Sequence, residues 1–232
     1  MNKEIFINEC KKIGIIITEE MIKKLDIYRN LLYSWNEKIN LTSITEEKEV
    51  YLKHFYDSLC LVRAINLNEK ISLCDVGTGA GFPGIVLKIV FSNLNITLIE
   101  PIKKRCVFLE EVIKQLNLKN IKIVNERAEI YSKYNREIFD IITCRAVSKL
   151  KIICEISIPM LKVNGYFIPL KGLADEEIRE SEYILKELDA KIEDKIIYNL
   201  PIEDSKRTII KIKKNNKTNK KYPRNFNLIK RS

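Results

Sequence analysis

Ser72-Leu-Cys-Asp-Val-Gly-Thr-Gly-Ala-Gly-Phe-Pro-Gly84 is the stretch of the 232-residue chain that decides the fold. A short apolar run leads into a turn with several glycines, and a second apolar run begins where the turn ends. Glycine accepts positive φ and lets a ligand approach the backbone, and proline suits the first turn of a helix. The stretch therefore predicts a buried strand, a ligand-binding turn and a helix.

Downstream of this turn, short apolar runs alternate with stretches of helical periodicity. Repeated alternation predicts an α/β fold, in which a parallel, doubly wound sheet is covered by helices on both faces. The predicted strands cover residues 71–76, 96–100, 121–124, 139–144 and 166–170, with helices over 83–90, 103–116, 150–161 and 175–188, and a closing hairpin of 192–200 and 207–212.

The chain divides into three predicted parts. Residues 1–65 have the periodicity of amphipathic helices, with Thr18 as an N-cap, and form an N-terminal helical extension packed on the core. Residues 66–213 form the α/β core, and residues 214–232 form a basic C-terminal tail.

Positive charge is concentrated at the C-terminal end. Eleven of the 41 Lys and Arg residues lie within residues 205–232, which contain no Asp or Glu, so the rest of the chain has 30 basic against 31 acidic residues. This asymmetry favours a polyanionic partner, nucleic acid before membrane, although a solubilising or disordered tail has the same composition. Tyr222-Pro-Arg224 places an aromatic ring among these cations, a pattern suited to base stacking with phosphate contact.

Composition also disfavours other classes of protein. No segment approaches the roughly 20 apolar residues that a membrane span requires, and the first ten residues are unlike a signal peptide. The six cysteines form no C-x-x-C pair, which argues against a zinc site or a disulfide framework and for a reducing cytosol. We therefore expect a cytoplasmic protein without membrane or metal.

The glycine turn allows two classes of cofactor. Residues 79–84 match the G-x-G-x-x-G pattern, which is typical of nicotinamide and flavin enzymes. Three features favour S-adenosylmethionine instead. Asp75 stands before the glycines, where a carboxylate would repel a pyrophosphate but suit a cationic methionyl group. Glu100 ends the next strand, where it can accept hydrogen bonds from ribose hydroxyls, and Arg127-Ala-Glu129 follows the third strand, where adenine-binding groups are expected. Taken singly, Asp75 is better explained as a helix N-cap and Glu100 as a residue of a solvated turn, and it is their coincidence at consecutive strand ends that favours the cofactor.

Six motifs extend this interpretation over nearly the whole chain: Asn36-Glu-Lys-Ile-Asn-Leu-Thr42, His54-Phe-Tyr-Asp-Ser-Leu59, the turn at 75–84, Arg127-Ala-Glu129, Cys144-Arg-Ala-Val147 and Lys221-Tyr-Pro-Arg224. Together they resemble the glucose-inhibited division protein B family of 16S ribosomal RNA guanine-N7 methyltransferases. The resemblance implies a class I (Rossmann-like) S-adenosylmethionine-dependent methyltransferase, with a seven-stranded, mostly parallel sheet whose last strand is antiparallel. It weakens after Arg224, where family members commonly continue with a basic residue and a glycine, and this chain has Asn225-Phe-Asn-Leu-Ile.

The predicted cofactor-binding residues lie at or shortly after the ends of four predicted strands: Asp75, Gly77, Gly79, Phe82, Glu100, Ala128, Glu129 and Arg145. By the resemblance, Gly77 and Phe82 belong to the cofactor loop, Ala128 and Glu129 flank the adenosine, and Arg145 faces the cofactor or the reacting site.

No residue is assigned a catalytic role, because guanine N7 has a free lone pair and no proton to lose. Positioning should therefore suffice, without a general base. His54, the only histidine, lies three residues before Asp57 on one helix face, and both a packing pair and a site-lining pair are consistent with this spacing. The expected partner is 16S ribosomal RNA or the small ribosomal subunit, bound by a monomer. The alternatives are methylation of another RNA base or a protein, a nicotinamide-dependent oxidoreductase, and a non-catalytic RNA-binding protein.

Overall fold

The computed structural model describes residues 1–231, which contain one seven-stranded sheet. Its strands are β1 (Ser72–Val76), β2 (Asn95–Ile99), β3 (Ile121–Val124), β4 (Phe139–Arg145), β5 (Leu161–Lys171), β6 (Ala190–Asn199) and β7 (Lys206–Lys214). The strand order is β3-β2-β1-β4-β5-β7-β6, with β1 to β5 parallel and β7 antiparallel to both of its neighbours. The predicted sheet, with its last strand antiparallel, is confirmed.

Helices cover both faces of the sheet. The α-helical segments are α1 (Lys3–Lys12), α2 (Glu19–Ile39), α3 (Glu47–Glu49), α4 (Asp57–Leu59), α5 (Gly84–Val90), α6 (Lys103–Gln115), α7 (Ala128–Tyr134), α8 (Leu150–Ser157), α9 (Asp175–Glu187) and α10 (Phe226–Arg231). A π-helical segment, Val50–Tyr56, joins α3 to α4, and 3₁₀ turns, Cys60–Arg63 and Ile158–Met160, follow α4 and α8. The predicted core elements are all present, β3 with the predicted bounds and the others with bounds shifted, whereas α7 and α10 were not predicted.

Side chains of the central strands alternate between two apolar clusters. Leu73 on β1 and Leu98 on β2 belong to the cluster that includes α2, α5 and α6, whereas Cys74 and Ile99 belong to the cluster with α7, α8 and α9. Because both faces are covered, these strands have continuous apolar sequences. The carboxyl ends of the parallel strands then meet at one edge of the sheet, which carries the predicted site.

The N-terminal helices share one core with the sheet. Helix α2 begins after Thr18, whose side chain caps its first turn as predicted, and ends at Asn40 in the left-handed conformation. The side chain of Asn36 accepts hydrogen bonds from the backbone N–H groups of Leu41 and Thr42, at 2.6 and 2.8 Å. These bonds fix the loop that places Thr42 beside the site described below.

The boundary predicted between core and tail falls inside a strand. Lys214 is the last residue of β7 and is fully buried. Its ammonium donates a hydrogen bond to the Leu161 carbonyl at 2.8 Å and lies 3.6 Å from the Glu137 carboxylate. Burial lowers the pKa of Lys214 to about 8. Strand β7 therefore includes the first residue of the predicted basic tail.

The chain after β7 packs against the core instead of extending from it. The Arg136 guanidinium donates hydrogen bonds to the carbonyls of Thr218 and Tyr222, at 2.7 and 2.5 Å. Arg224 forms a bidentate pair with the buried Glu155 of α8, at 2.9 and 2.6 Å. The Tyr222 side chain is buried, so the prediction that its ring stacks on an RNA base is wrong in this arrangement.

Three further properties bear on function. Within residues 1–231, no helix has the length and apolar character needed to cross a membrane. The same residues contain no group of three or more His, Cys, Asp or Glu side chains arranged to hold a metal ion. The six cysteines are buried and free.

We predict that Arg136→Ala lowers the free energy of unfolding by about 2–4 kcal/mol, because two hydrogen bonds from a charged group to backbone carbonyls are lost. Denaturant unfolding measures the loss, and hydrogen exchange should accelerate in residues 215–224. The control is Lys133→Ala, an exposed cation on α7. Equal stability of the two variants would mean that the C-terminal segment is not held by Arg136.

Candidate functional site

The glycine loop between β1 and α5 is closely packed at Gly77 and open at Gly79. Gly77 has a φ of +66°, and a Cβ there would lie 2.9 Å from the Val147 side chain, so only glycine fits. Gly79 has a φ of +60°, and a Cβ there would meet no atom within 4 Å. The loop therefore presents bare backbone to open space at Gly79.

Asp75, at the end of β1, organises this loop through one of its two carboxylate oxygens. Oδ2 accepts hydrogen bonds from the Gly84 backbone N–H at 2.8 Å and the Thr78 hydroxyl at 2.6 Å. Oδ1 is buried and has no hydrogen-bond partner. Burial raises the pKa of Asp75 to about 6, against the opposing effect of these hydrogen bonds. The helix-capping role is thus present at Oδ2, while Oδ1 is a buried oxygen without a hydrogen-bond partner.

Glu100 joins the loop to the next strand. It directly follows β2 and is buried, so the alternative of a solvated turn is wrong. Its Oε2 accepts a hydrogen bond from the Gly79 N–H at 3.0 Å, and its Oε1 accepts one from the Ile102 N–H at 2.9 Å. Two buried carboxylates therefore border the same short turn, which makes it a poor site for a pyrophosphate.

A cavity of about 310 Å³, named here the glycine-loop cavity, lies beside this turn. The predicted residues Gly77, Ala128 and Glu129 line it, and its apolar wall includes Ile99 and Ile153. An apolar chamber with a few polar groups at its border is typical of small-molecule sites. The residues after β1, β2 and β3 thus come together as the sequence indicates.

A second cavity of about 470 Å³, named here the Arg145 cavity, opens on the other side of the loop that follows β4. The two cavities adjoin at this loop, because Ala146 lines the Arg145 cavity and the next residue, Val147, lines the glycine-loop cavity. The charged side chains that line the Arg145 cavity are Lys53, Asp57, Arg145, Lys171, Glu177 and Arg207. The lining thus carries four cations and two carboxylates, and each of the four cations lies within 4.0 Å of a carboxylate.

His54 and Asp57 both contact Arg145. Arg145 lies 3.0 Å from His54 Nδ1 and 3.2 Å from Asp57 Oδ2. Because a guanidinium only donates, Nδ1 is the acceptor and the ring proton is on Nε2, which donates to the Thr42 hydroxyl at 2.9 Å. Burial, followed by the Arg145 charge, lowers the pKa of His54 to about 3. His54 is therefore a neutral, fully engaged side chain.

Phe82 connects this cluster to the loop. The His54 ring stacks on it with centroids 4.3 Å apart, and the Arg145 guanidinium lies 5.2 Å from its centroid. Of the predicted cofactor residues, Arg145 lines the Arg145 cavity, and Gly77, Ala128 and Glu129 line the glycine-loop cavity. The other four, Asp75, Gly79, Phe82 and Glu100, belong to the turn or contact it, and they line neither cavity.

Sequence reasoning missed several residues of the site. Tyr28 of α2 is buried, packs on Phe82 at 5.3 Å between centroids, and donates a hydrogen bond to the Ala80 carbonyl in the loop. Its position on the apolar face of α2 predicts that the ring is packed in the core. A buried tyrosine hydroxyl also needs a hydrogen-bond partner, and this requirement is the one feature of the sequence that indicates a contact with a loop. Phe226 of α10 lines the glycine-loop cavity, and no feature of the sequence places it there.

Comparisons with known proteins found a matching family model and similar relatives. A family model described as rRNA small subunit methyltransferase G matches residues 21–200. Ribosomal RNA small subunit methyltransferase G of Oceanobacillus iheyensis is 42% identical over 231 residues, which cover 98% of this chain and 97% of that protein. The protein of the same name from Bacillus licheniformis is 44% identical over 227 residues, which cover 97% and 95%.

Solved structures that are similar to the chain share its fold. TYW2 of M. jannaschii, solved in complex with AdoMet, has a TM-score of 0.53 at 16% identity and covers 63% of this chain and 70% of its own. A SAM-dependent methyltransferase from Aquifex aeolicus has a TM-score of 0.51 at 19% identity, with coverage of 72% and 93%. Precorrin-6y C5,15-methyltransferase from Geobacter metallireducens has a TM-score of 0.51 at 16% identity, with coverage of 76% and 92%.

We predict that His54 stays neutral in the folded protein down to pH 5. It is the only histidine, so its ring gives a single set of NMR signals, and these should not titrate between pH 8 and pH 5. The unfolded chain takes up a proton near pH 6.5, so stability is lost as pH falls below 6.5, by about 2 kcal/mol at pH 5.

The control for this pH dependence is His54→Gln, which has no ring to titrate. Its free energy of unfolding should change less between pH 7.5 and pH 5 than that of the parent protein. A titration midpoint near 6.5 in the folded parent would contradict the assigned hydrogen bonds.

Proposed function

Because the chain belongs to the ribosomal RNA small subunit methyltransferase G (GidB) family, we propose that it methylates N7 of a guanine in 16S ribosomal RNA. The observation that carries this proposal is the junction of the two cavities at Ala146 and Val147. One chamber has an apolar wall with Glu129 in its lining, and the lining of the other includes four cations and two carboxylates. A methyl donor in the first chamber would meet an RNA base in the second.

When bound, S-adenosylmethionine supplies a methyl group on a positively charged sulfur. The residues of the glycine-loop cavity and of the turn beside it fit this molecule. Asp75 Oδ1, a buried carboxylate oxygen without a partner, suits a cationic ligand group. Glu100 suits ribose hydroxyls, the open space at Gly79 accommodates close approach, and Ala128 and Glu129 border the place for adenosine.

Phe82 and Arg145 have a positioning role in this proposal. The positive charge of Arg145 beside a guanine that becomes cationic would oppose the reaction, but Asp57 lies 3.2 Å away and balances it. Arg145 in turn holds His54 against Phe82, and Phe82 is part of the loop. The cluster thus links the shape of the loop to the wall of the Arg145 cavity.

The proposed transfer uses no general base. Guanine N7 attacks with its own lone pair, so no proton has to leave before the methyl group arrives. His54, the one histidine, is not free to accept a proton because its Nδ1 lone pair already binds Arg145. Catalysis then comes from holding N7 in line with the methyl carbon and excluding water. We place this reaction in the cytoplasm, carried out by a monomer on ribosomal RNA or the small subunit.

We predict that Asp75→Asn weakens binding of S-adenosylmethionine about tenfold at pH 7.5, which corresponds to about 1.4 kcal/mol. The parent protein should also lose affinity as pH falls below about 6, because a protonated Asp75 no longer attracts a cation. The variant should lack this pH dependence. Calorimetric titration measures both effects.

The matched control is Asp140→Asn, which removes a carboxylate at the opposite end of the sheet, on β4. Its affinity for S-adenosylmethionine should equal that of the parent protein. If Asp75→Asn binds as tightly as the parent at pH 7.5, Oδ1 does not contact the cofactor.

For the acceptor, we predict that depletion of the protein removes one N7-methylguanine from 16S ribosomal RNA, as mapped by chemical cleavage. The parent gene should restore the modification, and the Asp75→Asn gene should restore it poorly. Loss of a methyl group from a different base, or from a ribosomal protein, would support the alternative acceptors. An unchanged methylation map would eliminate the proposed substrate.

A further inference from the structure

Helix α10 lies against the glycine-loop cavity, although it is far from the glycine loop in sequence. Two of its residues, Phe226 and Lys230, line that cavity. They are four positions apart, so they share one face of the helix. Ile229 is buried, and Leu228 is exposed. The helix therefore turns a defined face towards the chamber.

The C-terminal segment is anchored where it enters this helix. Arg224 pairs with Glu155 through two side-chain hydrogen bonds, and its backbone N–H donates to the same carboxylate at 2.8 Å. Glu155 is buried on α8, and its helix neighbours Ile152 and Ile156 line the glycine-loop cavity. The anchor thus sets the position of α10 relative to one wall of the chamber.

The opposite wall contacts α10 through a cation–π pair. The Arg127 guanidinium lies 4.7 Å from the centroid of the Phe226 ring, and Arg127 also forms an ion pair with Glu129. The Lys230 ammonium lies 5.0 Å from the same ring. The Phe226 ring therefore contacts a residue that follows β3 as well as its own helix.

Sheet order decides which end of a cofactor meets Phe226. The Arg145 cavity lies on the β4–β5 side of β1, and Arg127 lies on the β3 side. A methyl group delivered to the Arg145 cavity must point towards β4, which leaves the adenine end of the donor towards β3. An aromatic ring at that end offers adenine a stacking partner.

We propose that α10 completes the cofactor site and that Phe226 is a binding residue for the adenine ring of S-adenosylmethionine. This inference rests on the proposed function, since it assumes that the donor occupies the glycine-loop cavity. It assigns the segment after Arg224 to the cofactor and not to RNA.

The test is the affinity of Phe226→Ala for S-adenosylmethionine, S-adenosylhomocysteine and 5′-methylthioadenosine, measured by calorimetric titration. All three ligands contain the adenosine group, so we expect each to bind about tenfold more weakly or worse. The matched control is Leu228→Ala on the exposed face of α10, which should bind as the parent protein does. RNA affinity should be the same in both variants and the parent.

A second measurement needs no substitution. Addition of S-adenosylmethionine to the parent protein should slow hydrogen exchange of the backbone amides in residues 226–231. This result stays informative if Phe226→Ala folds poorly, and Phe226→Leu then serves as the milder variant.

Three outcomes would overturn the inference: parent-like affinity of the Phe226 variants, equal losses in the Phe226 and Leu228 variants, or unchanged exchange in α10. A Phe226 variant that binds the cofactor normally but RNA weakly would assign α10 to the RNA instead. Failure of the parent protein itself to bind S-adenosylmethionine would overturn the proposed function as well, so the two failures are distinguishable.

Discussion

The buried carboxylate of Asp75 determines the conformation on which the site depends. Through Oδ2 it joins the end of β1 to Thr78 in the middle of the turn and to Gly84 at the start of α5. Moving a carboxylate out of water is costly, and its two hydrogen bonds offset only part of that cost, since the pKa of Asp75 still rises to about 6. In the proposed complex, a cation at Oδ1 removes the remaining cost. The same side chain then shapes the loop and favours its occupied state.

Parts of the chain outside the sheet support this loop from two directions. Tyr28 binds the loop backbone from α2, and His54 stacks on Phe82 from the π-helical segment. On the far side of the chamber, α10 places Phe226 against Arg127. The core supplies the strand ends and the two carboxylates, whereas the terminal segments supply most of the aromatic surface. The site is thus assembled from the beginning, middle and end of the chain.

The sheet and the positions of Asp75 and Glu100 were predictable because both follow from local pattern. Strands covered on both faces have unbroken apolar sequences, and a parallel sheet brings its strand ends together. The short helix α7 has too few turns to show a periodicity, and α10 follows a polar segment whose composition is typical of disorder. Its packing depends on Arg136 and Glu155, which are distant in sequence. Long-range pairs of this kind leave no local pattern.

Ion pairs in residues 205–230 weaken the attraction that the positive charge of this segment exerts on a distant polyanion. Among the side chains that the structure describes, carboxylates lie within 4.0 Å of five cations in residues 205–230: Arg207, Lys211, Lys214, Lys221 and Arg224. Seen from a distance, each such pair is a dipole whose field falls off faster than that of a free charge. Counterions condensed on RNA are released only where a protein charge replaces them at a phosphate. A count of lysines and arginines therefore overstates how far this end of the molecule attracts a polyanion and how strongly salt would weaken the encounter.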